Sequence, residues 1–243
     1  MDLDLRGVKF SKRDTEKGIM IPKKLTPLLA EDIGIHIGDG SIDLRKDRMH
    51  STTLTHSSNT YETDYLDYVI RLKKRLYNLN NYNVVKRNNE RNLIFNSLAI
   101  STFYSTVFEI PIGKKSDIDI PAIIKNSDDS NVISSYIRGF VDTDFGLIKR
   151  IKYGKIHPSL DGTSSSERLI VSLSFLFDKL NIKHYMYTER QFDKRTSKVY
   201  TRYKIAINGF SRISLCLKAI KPRNQKYIRK IGDMGPKRFE FEG

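Results

Sequence analysis

The sequence predicts an α+β fold made of two pseudo-symmetric αββαββα units. Three observations carry that prediction. A short pattern recurs, in which Gly34 and Asp39 of "DIGIHIGDG" match Gly139 and Asp144 of "IRGFVDTDF" about 105 residues later. The same order of helical and strand-like periodicities follows each copy. The chain of 243 residues accommodates two units of about 100 residues, each below the usual size for a large core and so expected to pack on the other.

The first copy is ambiguous when read alone. Ile33, Ile35 and Ile37 alternate with Gly34, His36 and Gly38 before Asp39-Gly40, which is a hairpin signal. The lead-in is helical, with Thr26 as a cap and Pro27 at the first helical position. The second copy is clearer. Val132, Ile133, Tyr136, Ile137, Phe140 and Val141 recur at helical spacing after the capping residues Asp128, Asp129 and Ser130. Equivalent segments share one structure, so both motifs are predicted helical, with Phe140 matching Ile35 and Thr143 matching Gly38.

After the first motif come two short strands in "SIDLRKD" and "RMHSTTLTH". A helix follows over Thr60–Asn78, with Tyr65, Leu66, Val69, Leu72 and Leu76 on one side. A hairpin, "NVVKR" to "RNLIFN", and a helix over Leu98–Phe108 complete the unit. After the second motif come "GLIKRIKYG" and "KIHPSLDG", a helix over Ser165–Leu180, a longer hairpin with arms "HYMYTERQF" and "KVYTRYKIAI", and a helix over Phe210–Ile220. "DGTSSSE" reads as a loop with Ser165 or Ser166 as the helix cap, and "GDMGPKRFEFEG" as a tail or loose final strand. The predicted organisation is a lead-in over 1–24, a first domain over 25–125, a second over 126–222 and a C-terminal segment over 223–243.

Charge narrows the partner. Lys and Arg number 43 against 28 Asp and Glu, a net charge of +15, and the pI is near 9.7. That balance points to a polyanion, nucleic acid before an anionic membrane, because no basic amphipathic helix carries an aromatic apolar face. No apolar run approaches the roughly 20 residues of a membrane span. The start, "MDLDLRGVKF", lacks the apolar core of a signal peptide. A reducing compartment is expected, cytoplasmic in a prokaryote or organellar, because the single cysteine, Cys216, sits in an apolar run. Five scattered histidines offer no zinc-ligand pairs.

At these residues a resemblance becomes nameable. "DIGIHIGDG" and "IRGFVDTDF" resemble the two motifs of the monomeric LAGLIDADG homing endonucleases, and the αββαββα order extends the resemblance over nearly the whole chain. It implies a monomer with an internal pseudo-two-fold axis, its motif helices side by side at the interface and its two antiparallel sheets forming a saddle in the DNA major groove. Gly34 and Gly139 would then let the helix backbones approach. Asp39 and Asp144 would reach the scissile phosphates and hold Mg²⁺, or another divalent ion such as Mn²⁺, with the carbonyls of Gly38 and Thr143 as further ligands. The family also places a lysine near each site, and Lys115 (or Lys114) and Lys226 (or Lys230) stand in the matching stretches. Two departures are expected to matter. Phe145 replaces the final motif glycine, matched by Gly40 in the first copy, and could shift the entry of the strand that follows. Asp142 has no acidic counterpart and reads as a structural contact near the helix end, with its replacement milder than that of Asp39 or Asp144.

The resemblance makes the solvated sheet faces the DNA surface. Candidates are Arg45, Lys46, Arg48, His50, Lys86, Arg87, Arg91 and Asn92 in the first half. In the second they are Lys149, Arg150, Lys152, Tyr187, Glu189, Gln191, Tyr200, Arg202 and Lys204. Alternation places Val199, Thr201, Tyr203, Ile205 and Ile207 on the opposite face, under the helices. The implied function is metal-dependent cleavage of both strands of a long DNA target, as by an intron-encoded enzyme. The alternative is an RNA maturase, with the host intron RNA as partner, or a non-cleaving nucleic-acid binder on the same fold. Retention of both Asp39 and Asp144 favours cleavage.

Overall fold

The computed structural model describes residues 1–44, 50–57, 60–87, 90–193 and 197–239. The lead-in carries a short helix, α1 (Lys12–Glu16), closed by a reciprocal capping box between Ser11 and Asp14. Buried Asp14 also accepts the N–H of Ala99 at 3.2 Å, which ties the lead-in to the first half.

The first half runs α2 (Pro27–Asp39), β1 (Gly40–Leu44), β2 (His50–Ser57), α3 (Thr60–Tyr77), β3 (Asn83–Arg87), β4 (Glu90–Asn96) and α4 (Leu98–Val107). A short connector, α5 (Ala122–Lys125), leads to the second half. That half runs α6 (Ser130–Asp144), β5 (Phe145–Lys152), β6 (Lys155–Ser164), α7 (Glu167–Lys179), β7 (Tyr185–Asp193), β8 (Lys198–Asn208) and α8 (Phe210–Ile220). Both motifs are therefore helices, each ending at its aspartate. Thr26 caps α2 by accepting the N–H of Leu29, and Asp129 caps α6 by accepting that of Asn131.

The sheets repeat one antiparallel topology, β1-β2-β4-β3 and β5-β6-β8-β7. Helices cover one face of each. Leu93, Phe95, Leu160, Ile205 and Ile207 are buried on those faces, in agreement with strands half-solvated by design of their alternation. The two halves meet through α2 and α6, the most extensive contact between elements in the molecule.

That contact depends on two glycines. A methyl group on Gly34 would lie 2.2 Å from the carbonyl oxygen of Tyr136, and one on Gly139 would lie 2.1 Å from that of Glu31. The obstacle in each case is backbone, which cannot rotate aside as a side chain can. Gly34→Ala or Gly139→Ala is expected to force the helices apart and destabilise the fold by about 1–3 kcal/mol, as overpacking does. An unchanged midpoint in thermal unfolding would show that the interface is looser than this.

Several expectations are corrected. Residues 161–164 belong to β6 rather than to a loop, and Ser166 alone caps α7. Val199 and Thr201 are exposed, because the outer half of the β7–β8 hairpin extends beyond the helix layer. The C-terminal segment forms a helix, α9 (Lys226–Met234), followed by a 3-10 turn over Pro236–Phe239, anchored by buried Tyr227, Met234 and Phe239.

Phe145 does not displace its strand. Its backbone (φ −98°, ψ 147°) nearly repeats that of Gly40 (φ −84°, ψ 152°). The substitution is accommodated elsewhere. A methyl group on Gly40 would meet the ring of His36 at 2.3 Å, whereas the matching pair in the second half is Val141 and Phe145. The Phe145 ring instead occupies the space above Gly162, against Phe140 and Phe177.

Candidate active site and nucleic-acid interface

The C-terminal ends of α2 and α6 converge. A methyl group on Gly38 would lie 2.7 Å from the Asp144 carboxylate and 2.0 Å from the Thr143 hydroxyl. Burial pushes the pKa of Asp144 up to about 7, and the negative charge of Asp39 pushes in the same direction, while Lys115 and Lys226 oppose it. The side chain still opens to solvent on one side. Like charges held close in partly desolvated surroundings oppose ionisation. A divalent cation removes that conflict, so hard carboxylate oxygens from Asp39 and Asp144 fit such an ion. Among the described residues no cluster of three or more His, Cys, Asp and Glu forms. Further ligands for an ion would therefore have to be carbonyls, water or phosphate.

Each helix end has its own lysine. Lys115 Nζ donates to the carbonyls of His36, Ile37 and Gly38 at 3.2, 2.6 and 2.9 Å. Lys226 Nζ donates to those of Asp142 and Thr143 at 2.7 and 3.4 Å. Free carbonyls and the negative end of the helix dipole explain why ammonium groups settle there. Burial holds the Lys115 pKa below the usual lysine range, against the pull of Asp144 and Asp39. Lys114 and Lys230 are exposed. The carbonyls of Gly38 and Thr143, the expected extra metal ligands, thus accept hydrogen bonds from these lysines.

Asp142 is buried and is occupied by backbone donors. Its Oδ2 accepts the N–H of Arg223 at 2.8 Å and its Oδ1 that of Asn224 at 3.1 Å. Asn224 Nδ2 donates to the Asp142 carbonyl, and the Tyr227 hydroxyl donates to that of Val141. A strap of residues following α8 is thereby tied to the end of α6 and delivers Lys226. The role expected for Asp142, a structural contact at the helix end, matches this geometry.

The first half has a different foundation. His36 is buried and its ring stacks on Tyr104 with centroids 4.3 Å apart. Burial holds its pKa well below the usual value, so the ring is neutral. Below it Lys73 and Asp32, both buried, pair at 2.6 Å, and Asp32 also accepts the hydroxyls of Tyr77 and Tyr104. Sequence reading missed this polar cluster, although Lys73 stands four residues after Val69 and three before Leu76 on the apolar face of α3.

Strand register assigns the sheet faces. In the second sheet Arg150, Lys152, Tyr187, Glu189, Gln191, Tyr200, Arg202 and Lys204 share the face turned away from the helices. Lys149 lies on the other face, and its Nζ donates to the Asp233 carbonyl on α9, so it leaves the predicted set for a physical reason, the two-residue period of the strand. In the first sheet Asn92 points to the face opposite Leu93 and Phe95 but is buried there, whereas Lys86 and Arg91 pair on the face of Leu93 and Phe95. The side chains of His50 and Arg87 fall outside the described set, as do residues Arg45, Lys46 and Arg48 altogether. Sequence reading missed Ser159, Asp161 and Asn208, which stand among the second-sheet group. Ser159 lies in the expected strand with no face assigned to it, Asp161 reads as the start of a loop, and Asn208 stands one residue past the expected hairpin arm.

No protein-family model matches the chain, and no curated protein matches it in sequence. Solved structures match it in fold. The homing endonuclease I-DmoI in complex with DNA and Mn superposes with a TM-score of 0.57 at 15% identity, covering 82% of this chain and 99% of that one. The homing endonuclease I-WcaI, bound to its DNA recognition sequence, gives 0.50 at 16% identity over 99% and 98% of the two chains. The LAGLIDADG homing endonuclease I-GzeII, in complex with its DNA target, gives 0.50 at 11% identity over 88% and 89%.

Proposed function

We propose that this chain, whose fold is that of the monomeric two-motif LAGLIDADG homing endonucleases, is a site-specific endonuclease that cuts both strands of duplex DNA. The observation that carries the reading is the convergence of Asp39 and Asp144 at the ends of two paired helices, each end accompanied by a lysine. The likeness to DNA-bound endonucleases supports the choice of substrate, and so does the +15 charge. No helix among the described residues is long and apolar enough to cross a membrane.

In this reading Asp39 and Asp144 hold the divalent ion. When bound, Mg²⁺ or Mn²⁺ supplies charge neutralisation at the scissile phosphate and a more acidic water. Gly38 keeps the helix ends close enough for the two carboxylates to share one small volume. Lys115 and Lys226 hold positive charge beside that volume, where it stabilises charge developing on the phosphate. The exposed sheet faces grip the backbone and present side chains to base edges in the major groove.

Two measurements test this. Incubation with Mg²⁺ and a randomised duplex library, followed by sequencing of cut ends, should return one long preferred site. Random ends or intact DNA would refute site-specific cleavage. Binding to that duplex should weaken steeply with salt as counterions return, with a slope of log affinity on log salt near −0.9 per phosphate contacted. A flat slope would remove nucleic acid as the partner.

A further inference from the structure

Among the described residues, the solvated face of the second sheet holds two paired cations, Lys204 on the half-exposed Glu189 and Arg150 on the buried Asp161, and only the second rests on a buried carboxylate. Arg150 projects from β5, next to the strand β6 that carries Asp161. Its Nη2 donates to Asp161 Oδ2 at 2.6 Å, and the Asp161 side chain is only 8% exposed against 44% for Arg150. The Ser159 hydroxyl donates to the other Asp161 oxygen. The guanidinium is thus held on a carboxylate that is itself held by a neighbouring hydroxyl. Lys152 is exposed on the same strand.

A buried carboxylate is an odd component for a surface that must meet a polyanion. It adds a negative charge where phosphates approach, and it is costly unless well paired. Its effect is to hold a planar fork in one orientation. A guanidinium has five N–H donors. A fixed fork suits bidentate donation to two acceptors on one rigid edge, and guanine O6 and N7 present that pair in the major groove. A grip on phosphate needs no such fixing, because flexible lysines perform it.

Resting on the endonuclease reading above, we propose that Arg150 reads a guanine in the half of the target facing the second sheet, and that Asp161 is its positioning residue. The pair then sets specificity at one base pair, and the surrounding basic residues supply position-independent affinity.

The test is selection from a randomised duplex library, by metal-free binding and by cleavage, with wild type, Arg150→Ala, Arg150→Lys and Asp161→Asn. Wild type should demand G at one position of that half-site. Arg150→Ala should relax the demand roughly 10- to 100-fold at that position and leave the others unchanged. Arg150→Lys should keep affinity and salt slope yet lose the same preference. Asp161→Asn, which retains the arginine's charge, should do likewise, and if it fails to fold, the lysine variant still decides. Uniform weakening on all sequences, with the salt slope reduced by about one in Arg150→Ala alone, would make Arg150 a phosphate grip. Unaltered selection in every variant would make the pair a mere staple between β5 and β6. Either result overturns the inference while wild-type selection stands. Absence of any wild-type selection would instead overturn the endonuclease reading beneath it.

Discussion

Replacing Asp39 or Asp144 by Asn is expected to abolish double-strand cleavage, with a loss of roughly 10³-fold or more in the rate of linearisation, of the order seen when a preorganised charge-stabilising group is removed. Asn keeps the shape of each side chain and removes the charge that binds a divalent ion. The two aspartates end α2 and α6, and their mutual repulsion is felt at Asp144, whose pKa stands near 7. Loss of either therefore removes half of a shared ion-binding volume rather than one of several equivalent ligands. Slow nicking by the surviving carboxylate is compatible with this. Binding of duplex without metal should persist and tighten slightly, since a negative charge beside the phosphates is gone. A supercoiled plasmid bearing the target, with nicked and linear products resolved on a gel, measures the effect. Wild-type linearisation by both variants would overturn the assignment.

The same residues show how far sequence reading reaches. Regular periodicity was enough for α8 and β3, whose bounds match, and for both motif helices once the second copy clarified the first. The repeat also placed Gly34 against Gly139, since only a close helix pair gives two glycines at one register a shared purpose. What failed depended on tertiary context. Lys73 falls on the apolar face of α3 by spacing, but a lysine there makes sense only with the partner Asp32, which comes from another helix. Val199 and Thr201 follow the alternation of β8 faithfully, but the helices that would bury them end sooner than the strand does. Glycines and an aspartate made residues 232–243 look like a tail, which hid the end of α9 and the turn after it, where Met234 and Phe239 are buried. Asp161 was lost with the end of β6. The pairing of the motif ends was legible because it is local and repeated, whereas the side-chain pairs of the sheet face were not, because they form across strands.

The lysine of the second site should prove more vulnerable than that of the first. Lys226→Met is expected to slow cutting of one strand by roughly 10²–10³-fold, and Lys115→Met that of the other, with metal-free DNA binding nearly intact, because a charge beside the phosphate matters most in the transition state. The routes by which the two ammonium groups arrive differ. Lys115 reaches three successive carbonyls of α2, and the position matching Asp142 in that helix is apolar Ile37. Lys226 is carried by the strap, whose N–H groups at Arg223 and Asn224 end on the Asp142 carboxylate. Asn224 Oδ1 in turn accepts the N–H of Lys226 at 3.0 Å. Asp142→Asn turns one acceptor oxygen into a donor facing these N–H groups and should cost about 1–3 kcal/mol at that contact. The loosened strap leaves Lys226 poorly placed, while Lys115 keeps its carbonyls. Asp142→Asn should therefore still make linear product, more slowly and through an accumulating nicked intermediate cut only on the strand assigned to Lys115. Strand-specific end labels on a short duplex distinguish the cases. Equal slowing of both strands would mean that Asp142 supports the fold as a whole and not one site. Parallel loss of binding and cleavage in Lys115→Met and Lys226→Met would reduce both lysines to phosphate contacts.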